Sequence, residues 1–337
     1  QFLPGPASSQ VGFSIGYHCG GIVGAILAFL GFTLPSFILL FLLAVVGFHY
    51  AESASFVGAM YGLKLLAVVI VGDAVISMSK VFCQSKMTKF IAIATTLSVG
   101  ISVSISSQML ILIGAGILGL INCQQNPLAN NKASDNSQGL QKLNITALCL
   151  FLVLFIVLPL LPQLSTEISL FNSFFQAGSL VFGGGHVVLP MLQQTITNPI
   201  ANDTFILGYA AAQAVPGPMF TIATFLGANL FIESPLLGAT IATIAIFLPG
   251  FLLILALQGV WQKFAYQPKV SGFVMGVNAA VVGLLAAAFY QPIAINAIFS
   301  WVDIVWVTLG FVLLKFYRLP ILVLVASFIA IGIFMTL

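Results

Sequence analysis

One apolar motif occurs twice in this chain, 214 residues apart. Gly24 to Phe37 reads GAILAFLGFTLPSF and Gly238 to Phe251 reads GATIATIAIFLPGF, so Gly24, Ala25, Ala28, Leu34, Pro35 and Phe37 recur as Gly238, Ala239, Ala242, Leu248, Pro249 and Phe251. The same spacing pairs Gly62 with Gly276 and Val68 with Val282, and a register two residues shorter pairs Pro4-Gly5-Pro6 with Pro216-Gly217-Pro218. A duplication constrains the fold strongly, because whatever one copy builds the other must build as well. Both copies are apolar. With 60% hydrophobic and 5% charged residues, too little polar surface is left to enclose a water-soluble core. The expected fold is an all-α polytopic membrane protein, made of two inverted-topology repeats with broken or half helices near the midplane.

Runs long enough to cross about 30 Å of hydrocarbon, roughly 20 residues each, fall at Gly20 to His49 with a break expected at Pro35, Phe56 to Ser79, Leu170 to Met191, Phe205 to Phe231, Leu236 to Gln258, Val270 to Phe289 and Leu319 to Leu337. Shorter runs lie at Phe90 to Ser104, Met109 to Ile121, Ile145 to Leu161 and Ile298 to Leu314. The resulting organisation is a first repeat over 1–121, a polar loop over 122–144, a linking transmembrane helix over 145–163 and a second repeat over 168–337. Subtracting the repeat spacing from the second start places the first roughly 45 residues before Gln1, so the first repeat is expected to be incomplete at its start. The loop is rich in Asn, Gln and Ser and reads as a connector. One unpaired crossing between two repeats turns the second upside down.

Charge tests that inversion. Lys and Arg collect on the cytoplasmic side, so inverted copies carry them in opposite loops. Lys80, Lys86 and Lys89 follow the span ending at Ser79, whereas Tyr290 to Asp303 has no basic residue. Conversely Lys263 and Lys269 answer a stretch of the first copy that holds only Glu52, and Lys315 with Arg318 answer an uncharged stretch near Ser104. Sides then alternate from Glu52 to Leu337, provided that Leu170 to Met191 crosses fully.

A net charge of +3 without a basic patch gives no support for nucleic-acid binding. Cys19, Cys83, Cys123 and Cys149 show neither metal-ligand nor disulfide spacing, and neither a metal nor a cofactor is expected. No H-E-x-x-H, no G-x-S-x-G, no intramembrane carboxylate pair and no haem or flavin signature speaks for an enzyme.

The chemistry is expected at the breaks. In Phe2 to Ser9, FLPGPASS, and Gln213 to Phe220, QAVPGPMF, a Pro-Gly-Pro turn prevents a continuous helix and starts a new one. A helix start inside the membrane presents free N–H groups and a positive dipole end, which suit an anion; an ordinary interfacial turn is the competing reading. Phe182, Gly183, Gly184, Gly185 and His186 form a second candidate, in which the glycines let backbone approach a ligand and His186 donates to an oxyanion or carries a proton. A close helix contact accounts for the glycines equally well. Lys64 and Asp73 are the only formal charges well inside predicted spans, and such residues are costly in hydrocarbon. Lys64 aligns with Asn278. It is the better anion partner, although it could snorkel to the outer interface, and Asp73 could reach cytoplasmic water.

GYAAAQAVPGPMFTIATFLGA over Gly208 to Ala228, FGGGHVVLPML before it and IFLPGF after it resemble the C-terminal half of the chromate ion transporter family. LPGP, IGY at Ile15 to Tyr17 and GFTLPSF resemble its N-terminal half. The resemblance implies a long-chain, two-domain member of the plasma membrane that exports chromate, energised by the proton motive force, with sulfate as mimic or competitor. A homodimer and the lipid bilayer are its expected partners. The family's first Phe-Gly-Gly element is absent. The substrate site is then expected from Pro4, Gly5, Pro6, Ser8, Ser9, Gln10, Lys64, Phe182 to His186, Gln213, Pro216, Gly217, Pro218, Thr221 and Asn278, with His186 and Asp73 as proton-coupling candidates. Sulfate or another oxyanion as the physiological substrate stays open.

Overall fold

The computed structural model describes residues 3–50, 53–101, 105–121, 143–161, 165–182, 184–196, 201–260 and 267–336, and at a few of these, His186 among them, the backbone alone. The described residues are predominantly helical and contain no strand. Four helices or helix groups are long and apolar enough to cross a membrane, and the chain is an all-α polytopic membrane protein. The polar loop lies almost wholly outside the described residues, as do Glu52, Gly183 and Lys263.

Helix α1, Ala7–Tyr50, is two limbs, because Gly20 and Gly21 leave helical geometry, Gly21 with φ +60°. The limbs 7–19 and 22–50 fold back on each other: a Cβ built on Gly16 would meet the carbonyl of Gly24, and would stand 2.8 Å from the Cβ of Ala28. The expected break at Pro35 is not there. The helix runs through it, as α10, Pro235–Leu257, runs through Pro249. A membrane helix tolerates the lost donor when neighbouring groups take up the freed carbonyls, and the chain reverses instead where glycine permits a positive φ.

Helices α2, Ala54–Phe82, α3, Lys86–Ile101, and α4, Ile105–Ile121, complete the first copy. After α5, Ile145–Val157, the second copy opens with half-length pieces: α6, Thr166–Leu180, α7, Val188–Thr195, α8, Asn202–Ala214, and α9, Ile222–Leu230. Even the longest of these, at 15 residues, spans only about 22 Å. Leu170 to Met191 therefore does not cross. It turns at Val181 to Gly185, and α7 packs back along α6. In the same way α9 returns along α8, since a Cβ on Gly208 would fall 2.5 Å from the ring of Phe225. Leu170 to Met191 and Phe205 to Phe231, both expected as crossings, are thus re-entrant hairpins, which return the chain to its starting side just as two crossings would.

Beyond α10 come α11, Pro268–Ala288, α12, Trp301–Lys315, and α13, Ile321–Thr336. The copies interlock. Helix α2 packs on α12 and α13, and its counterpart α11 packs on α3 and α4. Gly62 lies against Phe328 and Gly332, while its mate Gly276 lies against Ala115 and Gly119. Without a hydrophobic force between helices in lipid, such small-residue crossings let backbones approach and gain dispersion contact. The ends sort consistently onto two faces: Asn144 N donates to Ala256 O at 3.1 Å, His18 meets Gln258 at 2.7 Å, and Lys315 meets Asp73 at 2.5 Å on one. That face holds Lys80, Lys86, Lys89, Lys269, Lys315 and Arg318. Glu167, Asp203, Glu233 and Asp303 lie towards the other, where Lys64, paired with Asp203, is the one Lys or Arg among the described residues.

Overpacking these crossings destabilises by about 1–3 kcal/mol or more. Gly62→Leu and Gly276→Leu should each lower the thermal midpoint of the purified protein by roughly 5 °C or more. Gly12→Ala, at a glycine with open space around it, should leave the midpoint within about a degree of the parent.

Candidate functional site: three broken turns at mid-depth

Of the two proline-bearing helices, α10 is largely buried while the limb 22–50 of α1 exposes one side, from Ile22 to Val46, and each Pro-Gly-Pro turn sits on the proline motif of the other copy. A Cβ on Gly217 would meet Ser36 Oγ and stand 3.5 Å from Phe32 O. A Cβ on Gly5 would stand 3.3 Å from the Cα of Gly250. Ser36 and Gly250 are repeat mates, each following the proline of its LPxF motif. Gly5 and Gly217 have φ of +107° and +149°, conformations that L side chains rarely adopt. Both glycines are thus fixed twice, by backbone twist and by close approach.

The glycine-rich turn joins them. Gly5 N donates to Val181 O at 2.7 Å, across copies. A Cβ on Gly185 would be 3.1 Å from the side chain of Met219, just past the second Pro-Gly-Pro turn. Gly184 has φ +134°. Three non-helical turns therefore converge at the depth of Pro35 and Pro249. Phe13 stacks on Phe251 with centroids 4.2 Å apart, and Phe29, Phe247 and Phe220 extend this apolar wall. Irregular backbone at such depth is tolerated only where it is buried in protein or lines a cavity.

Individual side chains divide into those spent on the turns and those left over. Gln10, 8% exposed, donates through Nε2 to Pro4 O at 2.6 Å and so braces its own turn. Thr221 Oγ1 donates to Pro218 O at 2.7 Å, so its proton is spent on the turn. Gln213 Nε2 reaches Tyr209 Oη at 3.1 Å and Met219 Sδ at 3.3 Å. By contrast the hydroxyls of Ser9 and Thr33 are buried with no partner. Helix starts follow both Pro-Gly-Pro turns, and the first N–H groups of a helix lack intrahelical acceptors. The arrangement offers donors and positive dipole ends to an anion.

Pro4, Gly5, Pro6, Ser9, Gln10, Phe182, Gly184, Gly185, Gln213, Pro216, Gly217, Pro218 and Thr221 belong to this convergence. Gly183 and the side chain of His186 lie outside what the structure describes. Ser8 is exposed on the first turn of α1. Lys64 stands apart, paired with Asp203 at 2.7 Å near the start of α8. Asp73 pairs with Lys315, whose Nζ is also 3.4 Å from Ser77 Oγ. Asn278 is 4% exposed and lines a separate cleft of about 430 Å³ on the lysine-bearing side, with Gln84, Ser85, Thr88 and Ser271. Sequence reading missed Thr33, Ser36 and Asp203. The first two lie inside the repeated motif, where apolar periodicity masks them; Asp203 carries no local signal.

Re-entrant half helices meeting inside a duplicated polytopic membrane protein are a feature shared with many transporter folds. A family model described as chromate transporter matches residues 1–120 and 168–333, and the chain belongs to the chromate transporter family. The chain is 28% identical over 310 residues to a probable chromate transport protein of Synechococcus elongatus, covering 86% of this chain and 71% of that one. It is 27% identical over 350 residues to a chromate transport protein of Cupriavidus metallidurans, covering 98% and 80%. It is also 31% identical over 172 residues to the uncharacterized transporter YwrA of Bacillus subtilis, where 48% of this chain matches 94% of that protein. A relative about one repeat long fits the duplication. No solved structure matches the chain.

Because Gly217 is held by both φ and Ser36, Gly217→Ala should cost about 1–3 kcal/mol and lower the thermal midpoint. Adding Ser36→Gly, which copies the Gly5 and Gly250 pairing of the other half, should recover part of that loss. A double variant no more stable than Gly217→Ala would show that the contact is not limiting.

Proposed function

We propose that this chain is a transporter of chromate in the plasma membrane, exporting the dianion by alternating access of the repeats 1–121 and 168–337 around the three converging turns. The observation that carries the reading is the seating of each Pro-Gly-Pro turn on the proline motif of the opposite copy. The lysine-bearing face is cytoplasmic on this reading, by the bias of Lys and Arg towards that side. Export of a dianion from a negative-inside cell gains about 4.6 kcal/mol per 100 mV, twice the single-charge figure. Uncoupled export is thus already downhill over a wide range of concentrations, and the task of the protein is to desolvate and select the anion. Helix starts after Pro6 and Pro218, together with the unpartnered hydroxyls of Ser9 and Thr33, supply donors there. His186 is the candidate for proton coupling. Asp73, tied to Lys315, is the weaker one. Sulfate is a tetrahedral dianion of like charge and enters as competitor, and a homodimer is compatible with two self-contained paths. No catalytic constellation competes with this reading.

Flux of radiolabelled chromate into proteoliposomes of the full-length protein, under imposed potential and pH gradient, tests it. Saturable flux that follows the potential is expected, with a loss of about tenfold or more when Pro216 and Pro218 are replaced by Ala, the scale of one lost charge-assisted interaction. His186→Gln should remove the dependence on the pH gradient while sparing the response to potential. Absence of chromate flux with sulfate flux intact would transfer the reading to sulfate.

A further inference from the structure

Lys64 is the deepest cation among the described residues. Ten residues into α2, it lies about 15 Å along the helix from the face opposite the lysines. Its side chain is 13% exposed, whereas that of its partner Asp203 is 58% exposed. The pair thus joins a nearly buried cation to an open carboxylate, and it joins α2 of one copy to α8 of the other. From Asp203, the 13 residues of α8 lead about 20 Å inward to the second Pro-Gly-Pro turn.

We infer that Asp203 is a tethered stand-in for the transported anion, competing with it for Lys64 at an outer station of the path. The inference rests on the transport reading above. A carboxylate and a tetrahedral oxyanion offer an ammonium group the same thing, acceptor oxygens bearing negative charge. An unneutralised Lys at this depth would hold a dianion too firmly, because a path conducts only where binding is strong enough to admit and weak enough to release. A covalently tethered competitor solves that problem. Its effective concentration is of millimolar order, so it weakens net anion binding and supplies a counter-charge when the anion leaves.

Internal symmetry supports the assignment. The repeat mate of Lys64 is Asn278, a neutral amide whose Oδ1 is buried without a hydrogen-bond partner. The carboxylate against Lys64 comes from the other copy, so the pair spans the interface between the repeats. Displacement of Asp203 by an arriving anion also frees the outer end of α8. That couples occupancy at Lys64 to the turn at the inner end.

The test is equilibrium binding of radiolabelled chromate to the purified full chain, with flux of chromate presented on the outer face as a second readout. Asp203→Asn should bind about tenfold more tightly than the parent and show a lower KM, since the competitor is gone. Lys64→Gln should bind about tenfold more weakly, and the double variant should follow Lys64→Gln. The exchanged pair Lys64→Asp with Asp203→Lys keeps a bridge between α2 and α8, and should fold yet bind as weakly as Lys64→Gln. Opposite signs for the two single variants are the signature. A bridge that merely braces the fold would weaken binding in both and lower the thermal midpoint in both, which would overturn the exchange. Parent-like binding by both single variants, with chromate flux intact in the parent, removes the exchange alone. A folded parent that neither binds nor moves chromate or sulfate removes the transport reading and the exchange with it.

Discussion

Backbone that leaves helical geometry in hydrocarbon must find partners for its N–H and C=O groups within the protein. Everything central in this structure follows from that. The turns at Pro4 to Pro6, at Val181, Phe182 and Gly184, and at Pro216 to Pro218 abandon the helix, and none of the three is closed by its own hairpin alone. Gly5 N is satisfied by Val181 O from the other copy. Gln10 closes the first turn from within, yet its amide group also lies against Gly250. Thr221 donates to the Pro218 carbonyl of the second turn, while Ser36 on the opposite copy fills the space beneath Gly217.

Because the turns are completed across the repeat interface, the site and the interface are one object. Sliding one copy against the other necessarily opens contacts at Gly5 and Gly217, where backbone approaches too closely to absorb displacement elastically. The outer helices behave differently. Glycines at α2 and α13, and at α11 and α4, lock each copy to the last helices of its partner. A protein held firmly at its periphery and through exchangeable hydrogen bonds at its centre can rearrange the centre first.

The duplication made most of this legible in the sequence. The helices from Phe56 to Ile121 and from Leu236 onward, and the helix start after Pro6, could be read because apolar length and proline report them directly. The fold-back of Leu170 to Met191 was not legible, since an apolar run of 22 residues looks the same whether it crosses or turns midway. Pro35 misled for a related reason. Proline marks a lost donor, but whether the helix breaks there depends on what packs against it, and Gly217 does so from a segment some 180 residues away. Asp203 was invisible as a partner of Lys64, because an isolated acid at a helix start reads as a favourable dipole contact and nothing more.

Where the copies agree they specify scaffold, and where they differ they specify asymmetry. Gly24 and Gly238 make the same hairpin contact, with Gly16 and Gly227, although the intervening turn is three residues longer in the second copy. Packing tolerates such a change because loops absorb length cheaply. At Ser36 and Gly250 the copies differ in bulk beneath equivalent turns, and at Lys64 and Asn278 they differ in charge at equivalent depth. A symmetric pair of cations would give an anion two equal wells separated by the midplane. One cation held by a carboxylate of the other copy, against one neutral amide lining a cleft, makes the two halves electrostatically unequal at equivalent positions.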